Sequence, residues 1–252
     1  MENIWGNDGF VTALDNQLQH DSSGSHDEMF DYGRVDLVDA MFDVNNNDII
    51  LDIGCGDGYT LQRYQDAHYL VGIDISNILC KNAKNNIKNG EIILASMENL
   101  PFKDNTFDKI IAVYSVLYSS QEKAFAEISR VLKVKGAFVL YDPNKLSFRT
   151  VIRKLTALKL GLSGDVNNPR YIHHTIATKN ALSYWNFKRT GRNVHLKIDN
   201  WCGVFSCHLI VPKFFYPFLF SRLHYKRWGF IPGIKLFSDF FVIKFIKEPS
   251  DT

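Results

Sequence analysis

Three glycines at alternate positions, Gly54, Gly56 and Gly58, follow an apolar run made of Ile49, Ile50, Leu51 and Ile53. Without side chains the backbone can turn sharply there, and a ligand can lie against it. Asp52 sits two residues before the first glycine, and Asp74 ends the next apolar run, Tyr69 to Ile73. A carboxylate at the end of the second strand of a nucleotide-binding unit can take both hydroxyls of a ribose. It can equally cap the following helix. A dinucleotide fingerprint needs a third glycine where this chain has Tyr59. The loop, the acid and the apolar runs therefore point to a nucleoside-bearing ligand, with a dinucleotide the weaker reading.

Other groups have chemistry of their own. His173 and His174 lie in a polar loop and are candidate general bases, needed only if the group acted on is neutral; the alternative is a pair of exposed loop histidines. Tyr114 and Tyr118 follow a fourth apolar run and read either as site residues or as packed aromatics. Cys202, Cys207 and His208 have no common zinc spacing, so buried thiols and no metal site are expected.

Positioning these residues takes a strand, a turn and a helix, repeated. Ile49 to Ile53 is expected as a buried strand. Tyr59 to Gln65 reads as the first crossover helix, and Tyr69 to Ile73 as the second strand. Ser76 is expected to cap a helix with Leu79, Ala83 and Ile87 on one face and Gly90 at its end. Glu91 to Ala95 and Lys109 to Val113 read as the third and fourth strands. Ser119 and Glu122 have the spacing of a capping box ahead of Phe125, Ile128 and Leu132. Gly136 marks a turn before a fifth strand, Ala137 to Tyr141. Strands alternating with helices predict a parallel sheet with right-handed crossovers. Upstream, Asp31 to Phe42 contains a short helix. Downstream, Leu146 to Leu162 and Lys179 to Arg189 read as helices, the second ending at Gly191. Asn193 to Ile198 and Ser238 to Ile246 read as strands.

The chain has 252 residues, 46% of them hydrophobic, enough for one domain with a core that needs no disulfides. Four dispersed cysteines suit a reducing, cytoplasmic setting. No secretion signal and no membrane span are expected. Net charge is only +2, but residues 1–60 hold thirteen acids and one basic residue, Arg34, while residues 188–247 hold eleven Lys and Arg and two acids. These are solvated faces of opposite sign, or a basic part that meets something anionic.

With those motifs assembled, LDIGCGDG resembles the first motif of class I S-adenosylmethionine (SAM)-dependent methyltransferases, and VGIDIS resembles their second. NLPFKDNTFDKIIAVYSVLY is similar to the region around their third and fourth strands, and EISRVLKVKGAFVLYDP to their fifth-strand region, with Lys135-Gly136 in place of a glycine pair. The likeness is close over about residues 30–145, and nearest to the small-molecule subgroup that includes quinone-biosynthesis enzymes. It implies an α/β, Rossmann-like fold: a seven-stranded, mostly parallel sheet with helices on both faces and a helical, aromatic lid. The expected organisation is one domain over 1–252, with an arm at 1–30, a SAM-binding core at 31–144, lid insertions at 145–190 and 206–236, and a last strand at 238–246.

The resemblance also implies roles. Gly54, Cys55 and Gly56 would pass under the methionine part of SAM, with Asp52 supporting the turn. Asp74 would bind the ribose and Ile75 the adenine, which Ser96 and Met97 would border. Ser96 is otherwise a plain turn residue. Tyr114 would face the reactive end of the cofactor. The expected activity is methyl transfer to a small-molecule or lipid- or sugar-linked acceptor. The alternatives are a SAM-binding protein without turnover, an NAD-dependent oxidoreductase and, with nucleic acid otherwise an unlikely partner, an RNA methyltransferase. The aromatic, basic stretch 212–230 is expected to line the acceptor pocket or to touch an anionic membrane surface.

Overall fold

The computed structural model describes residues 37–147, 180–204 and 233–249. Its centre is a seven-stranded sheet in the order β3-β2-β1-β4-β5-β7-β6. The strands are β1 (Ile49–Ile53), β2 (Tyr69–Asp74), β3 (Gly90–Leu94), β4 (Phe107–Val113), β5 (Leu132–Pro143), β6 (Leu196–Val204) and β7 (Phe240–Lys247). β1 to β5 pair in parallel, while β7 runs antiparallel to β5 and β6 antiparallel to β7. The order reverses between β1 and β4, and in open α/β sheets such a switch point opens a ligand crevice at the strands' carboxyl ends.

Each sheet face buries an apolar layer. Helical residues 37–42 (α1), a 3-10 turn at Leu61–Tyr64 and α2 (Asn77–Asn86) cover one face, through Phe42, Leu61 and Ala83. α3 (Gln121–Val131) and α4 (Tyr184–Arg192) cover the other. There Phe125 meets Phe138 and Phe245 edge-on at centroid distances of 5.7 and 5.5 Å, and Phe187 of α4 stacks on Phe125 at 6.3 Å. Each fully buried phenylalanine contributes roughly 1.5–3 kcal/mol, so this quartet fixes α3 and α4 against β5 and β7.

Several expected boundaries move. The segment Tyr59 to Gln65 makes only a 3-10 turn, and Thr60 supplies no side-chain cap. The Tyr59 amide is instead taken by the Asp57 carboxylate at 3.2 Å, an Asx-type bond that competes with a helix start. Gly90 does not end α2 but opens β3, where a Cβ would lie 2.0 Å from the Leu70 carbonyl oxygen. The Ser119–Glu122 capping box does not form: Ser119 Oγ donates to the Val116 carbonyl, and the N-cap is Ser120. Gly136 lies inside β5, and its neighbour Lys135 takes the left-handed conformation, φ 66°. α4 begins at Tyr184 because Ser183 caps it, and Leu182 is bridged to Asn144. Gly191 is within α4, close under Phe245. β6 starts later and runs longer than expected, because a register shift between Ile198 and Asn200 breaks its alternation. Most of the helix expected at Leu146 to Leu162 lies outside the described residues.

Candidate cofactor and acceptor site

The glycine turn is fastened to β2 at two levels. The Gly54 and Cys55 amides both donate to the Ile73 carbonyl, at 2.8 and 2.9 Å. The Gly56 amide donates to Asp74 Oδ2 at 3.0 Å, while Asp74 Oδ1 accepts from the Ser76 amide at 2.9 Å. Ser76 Oγ then accepts from the Leu79 amide and caps α2, as its sequence position suggests. One carboxylate thus ties the turn to the entry of the next helix.

Two of the glycines have different reasons to be glycine. Both need positive φ, 75° at Gly54 and 57° at Gly56. A Cβ on Gly54 would lie 2.5 Å from Ser115 Cβ, and Ser115 Oγ donates to the Ile53 carbonyl at 2.6 Å. Gly54 therefore lets the ends of β1 and β4 touch. A Cβ on Gly56 would meet nothing within 4 Å. Open space against bare backbone, beside the Asp74 carboxylate, suits a polar nucleoside-bearing ligand such as SAM.

Asp52 lies within β1 and is 1% exposed, and its Oδ2 has no hydrogen-bond partner among the described residues. Burial, and then the nearby Asp74 charge, push its carboxyl up to about 8. Burial likewise raises the Cys55 thiol, so this cysteine is inert packing beneath the turn. Ile75 is half-buried directly after Asp74. Ser96 and Met97 follow β3, whose last residue, Leu94, is paired with Asp74. Ser96 is exposed, and its Oγ accepts from the Glu98 amide at 3.2 Å, a turn bond. Met97 is half-buried against the core. Tyr114 leaves β4 with φ 56°, and its amide donates to the Tyr141 carbonyl at 2.7 Å. Its ring lies 6.4 Å from Tyr118 and 5.9 Å from Phe240.

Asp52, Gly54, Cys55, Gly56 and Asp74 thus come together at the ends of β1 and β2. His173, His174 and the stretch 212–230 lie outside the described residues. Cys202 is fully buried, while Cys207 and His208 also lie outside the described residues. Among the described residues no cluster of three or more His, Cys, Asp or Glu can hold a metal, and no helix is long and apolar enough to cross a membrane.

Sequence reasoning missed Asp142, near the end of β5. It is 1% exposed, and neither carboxylate oxygen has a hydrogen-bond partner among the described residues. The available signal was an acid closing the apolar run Ala137 to Tyr141 just before Pro143, which reads as an ordinary strand end.

Residues 51–140 match the family described as "Methyltransferase domain". Over 121 residues the chain is 31% identical to demethylmenaquinone methyltransferase of Thermotoga maritima, covering 46% of this chain and 53% of that protein. Over 133 residues it is 42% identical to the 18S rRNA (guanine-N(7))-methyltransferase of Bos taurus, covering 46% and 47%. The chain spans about half the length of the curated relatives it matches. Among solved structures, the complex of the Haloferax volcanii Trm112 methyltransferase activator with a putative methyltransferase aligns at TM-score 0.62 and 14% identity, covering 97% of both chains, a likeness of fold.

Proposed function

We propose, from the match of residues 51–140 to the methyltransferase domain family, that this protein is a class I SAM-dependent methyltransferase that transfers a methyl group to a small-molecule or lipid- or sugar-linked acceptor. The observation that carries the reading is the open face of Gly56 beside Asp74. Bound SAM supplies a sulfonium methyl group open to in-line displacement, which needs alignment and exclusion of water above all. The Gly54–Gly56 backbone supports the methionine part, and Asp74 takes the ribose hydroxyls. A carboxylate has about four acceptor sites, so it can hold the turn and accept from a hydroxyl together. Ile75, Ser96 and Met97 border the adenine from the ends of β2 and β3. Tyr114 closes the reactive end from β4, and its strained φ is the kind of cost that functional sites retain.

A second reading, an RNA acceptor, is favoured by one surface. Trp185 of α4 is 59% exposed. Lys188, Arg189 and Arg192 follow it at helical spacing on the exposed side of α4, and none is in an ion pair among the described residues. Because Phe187 commits the apolar face of α4 to the core, that stripe suits stacked bases and phosphates better than lipid.

Incubation with methyl-labelled SAM and two acceptor sets decides between these. The first set is quinols, phenols, lipids and sugars; the second is bulk RNA. Label in a compound of the first set is expected. Label in RNA alone, or in neither set, contradicts the proposal.

A further inference from the structure

Given methyl-donor binding at the glycine turn, we propose that Asp142 faces the methyl acceptor and accepts a hydrogen bond from its N–H or O–H group. The methylated atom is then nitrogen or oxygen, and Asp142 receives its proton.

Asp142 is at the right end of the sheet. Tyr141 pairs with Val113 of β4, and the Tyr114 amide bonds the Tyr141 carbonyl, so Asp142 lies level with the exit of β4. From the end of β1, where the glycine turn begins, it is two strand spacings away, roughly 10 Å. That separation suits an acid on the acceptor side of a donor lying along the ends of β1 and β2.

Its lack of partners has a local cause. An aspartate at a strand end commonly accepts from an amide one or two residues on. Pro143 has no N–H, and the Asn144 amide is spent on the Asp239 carbonyl at 2.9 Å. The Leu117 amide pulls the carboxyl down, but burial, the larger effect, holds it well above its ordinary range. Tyr118, whose hydroxyl is raised by burial and then by Tyr114 and Asp142, is the titratable neighbour. A buried acceptor left unmade is expensive. Asp74 contrasts sharply, since both its oxygens are bonded to backbone amides. A bound N–H or O–H donor is what would complete Asp142.

The step balances as follows. The acceptor's lone pair forms the bond to the methyl carbon, the carbon–sulfur bond breaks with its pair on sulfur, and the acceptor's proton passes to Asp142. Only the ionised carboxylate can take that proton, and the positive sulfonium of bound SAM favours that form.

Calorimetry with S-adenosylhomocysteine and sinefungin tests this. Sinefungin carries an amine on the carbon that replaces the methylated sulfur, so it presents N–H donors at the acceptor position; S-adenosylhomocysteine presents none. Wild-type protein is expected to bind sinefungin about tenfold or more tightly than S-adenosylhomocysteine. In Asp142→Asn that ratio falls to about one, with S-adenosylhomocysteine affinity unchanged. A wild-type ratio near one, or a ratio that survives Asp142→Asn, overturns the assignment and leaves donor binding standing. Failure of both ligands to bind wild-type protein overturns donor binding and the assignment together. Should Asp142→Asn not fold, the wild-type ratio decides alone.

Discussion

The carboxyl ends of β1 and β2 and the carboxyl end of β5 both hold buried acids, yet the two ends are built differently. At the first, Asp74 is bonded to the Gly56 and Ser76 amides, and positive-φ glycines hold the turn in one shape. At the second, neither Asp142 oxygen makes a geometric hydrogen bond among the described residues, Pro143 and Asn144 offer it no amide, and only the Leu117 amide pulls on it. At the first end the acid beside the open turn, Asp74, is bonded before any ligand arrives, as a site for a constant cofactor can be, while Asp52 Oδ2 lies unpartnered among the described residues within β1, beneath the turn. The second has one demand unmet, as a site that waits for an acceptor would.

Within the first end, Gly54 and Gly56 separate folding from binding. The left-handed conformation costs a non-glycine residue about 1–2 kcal/mol at either position. At Gly54→Ala the contact with Ser115 adds about 1–3 kcal/mol of overpacking. Urea unfolding is expected to show Gly54→Ala as the more destabilised variant, and SAM titration to show Gly56→Ala as folded but weakened in binding. Equal stability of the two would break the distinction between the glycines.

A smaller effect concerns Asp52. An acid whose folded value, about 8, lies above the ordinary 3.8 contributes its full stabilisation below the unfolded value and loses it as pH rises through the folded one. Wild-type stability is therefore expected to fall between pH 5 and 8, with a slope of up to roughly 1.4 kcal/mol per pH unit from this group. Asp142 acts in the same direction. Asp52→Asn should flatten the fall; identical slopes count against a buried, protonated Asp52.

The same contrast explains what could be read from the sequence. β1, β2 and the glycine turn are legible because each rests on local signals: β-branched apolar runs, alternate glycines, and Ser76 at a cap position. At the Tyr59 turn a local signal lost to another local bond, from the Tyr59 amide to the Asp57 carboxylate; elsewhere contacts across the fold overruled it. Gly90 is required by the Leu70 backbone across the sheet, and Gly191 by the Leu196 carbonyl and then the Phe245 ring. Ser120 rather than Ser119 starts α3, and its amide donates to the Glu98 carboxylate, 22 residues earlier, at 2.7 Å. β6 mixes Asp199 and Asn200 into an edge strand whose register shift hides its period. Asp142 was invisible for the same reason: whether an acid near a strand end is solvated or buried depends on what later chain packs over it.

The central claim is that Asp74 and the glycine turn hold SAM. Calorimetric titration of the wild-type chain and of Asp74→Ala, with SAM and in parallel with NAD, tests it most directly. SAM is expected to bind the wild type, with affinity about tenfold or more lower in Asp74→Ala. Binding of NAD without SAM, or SAM affinity unchanged in Asp74→Ala, would contradict it.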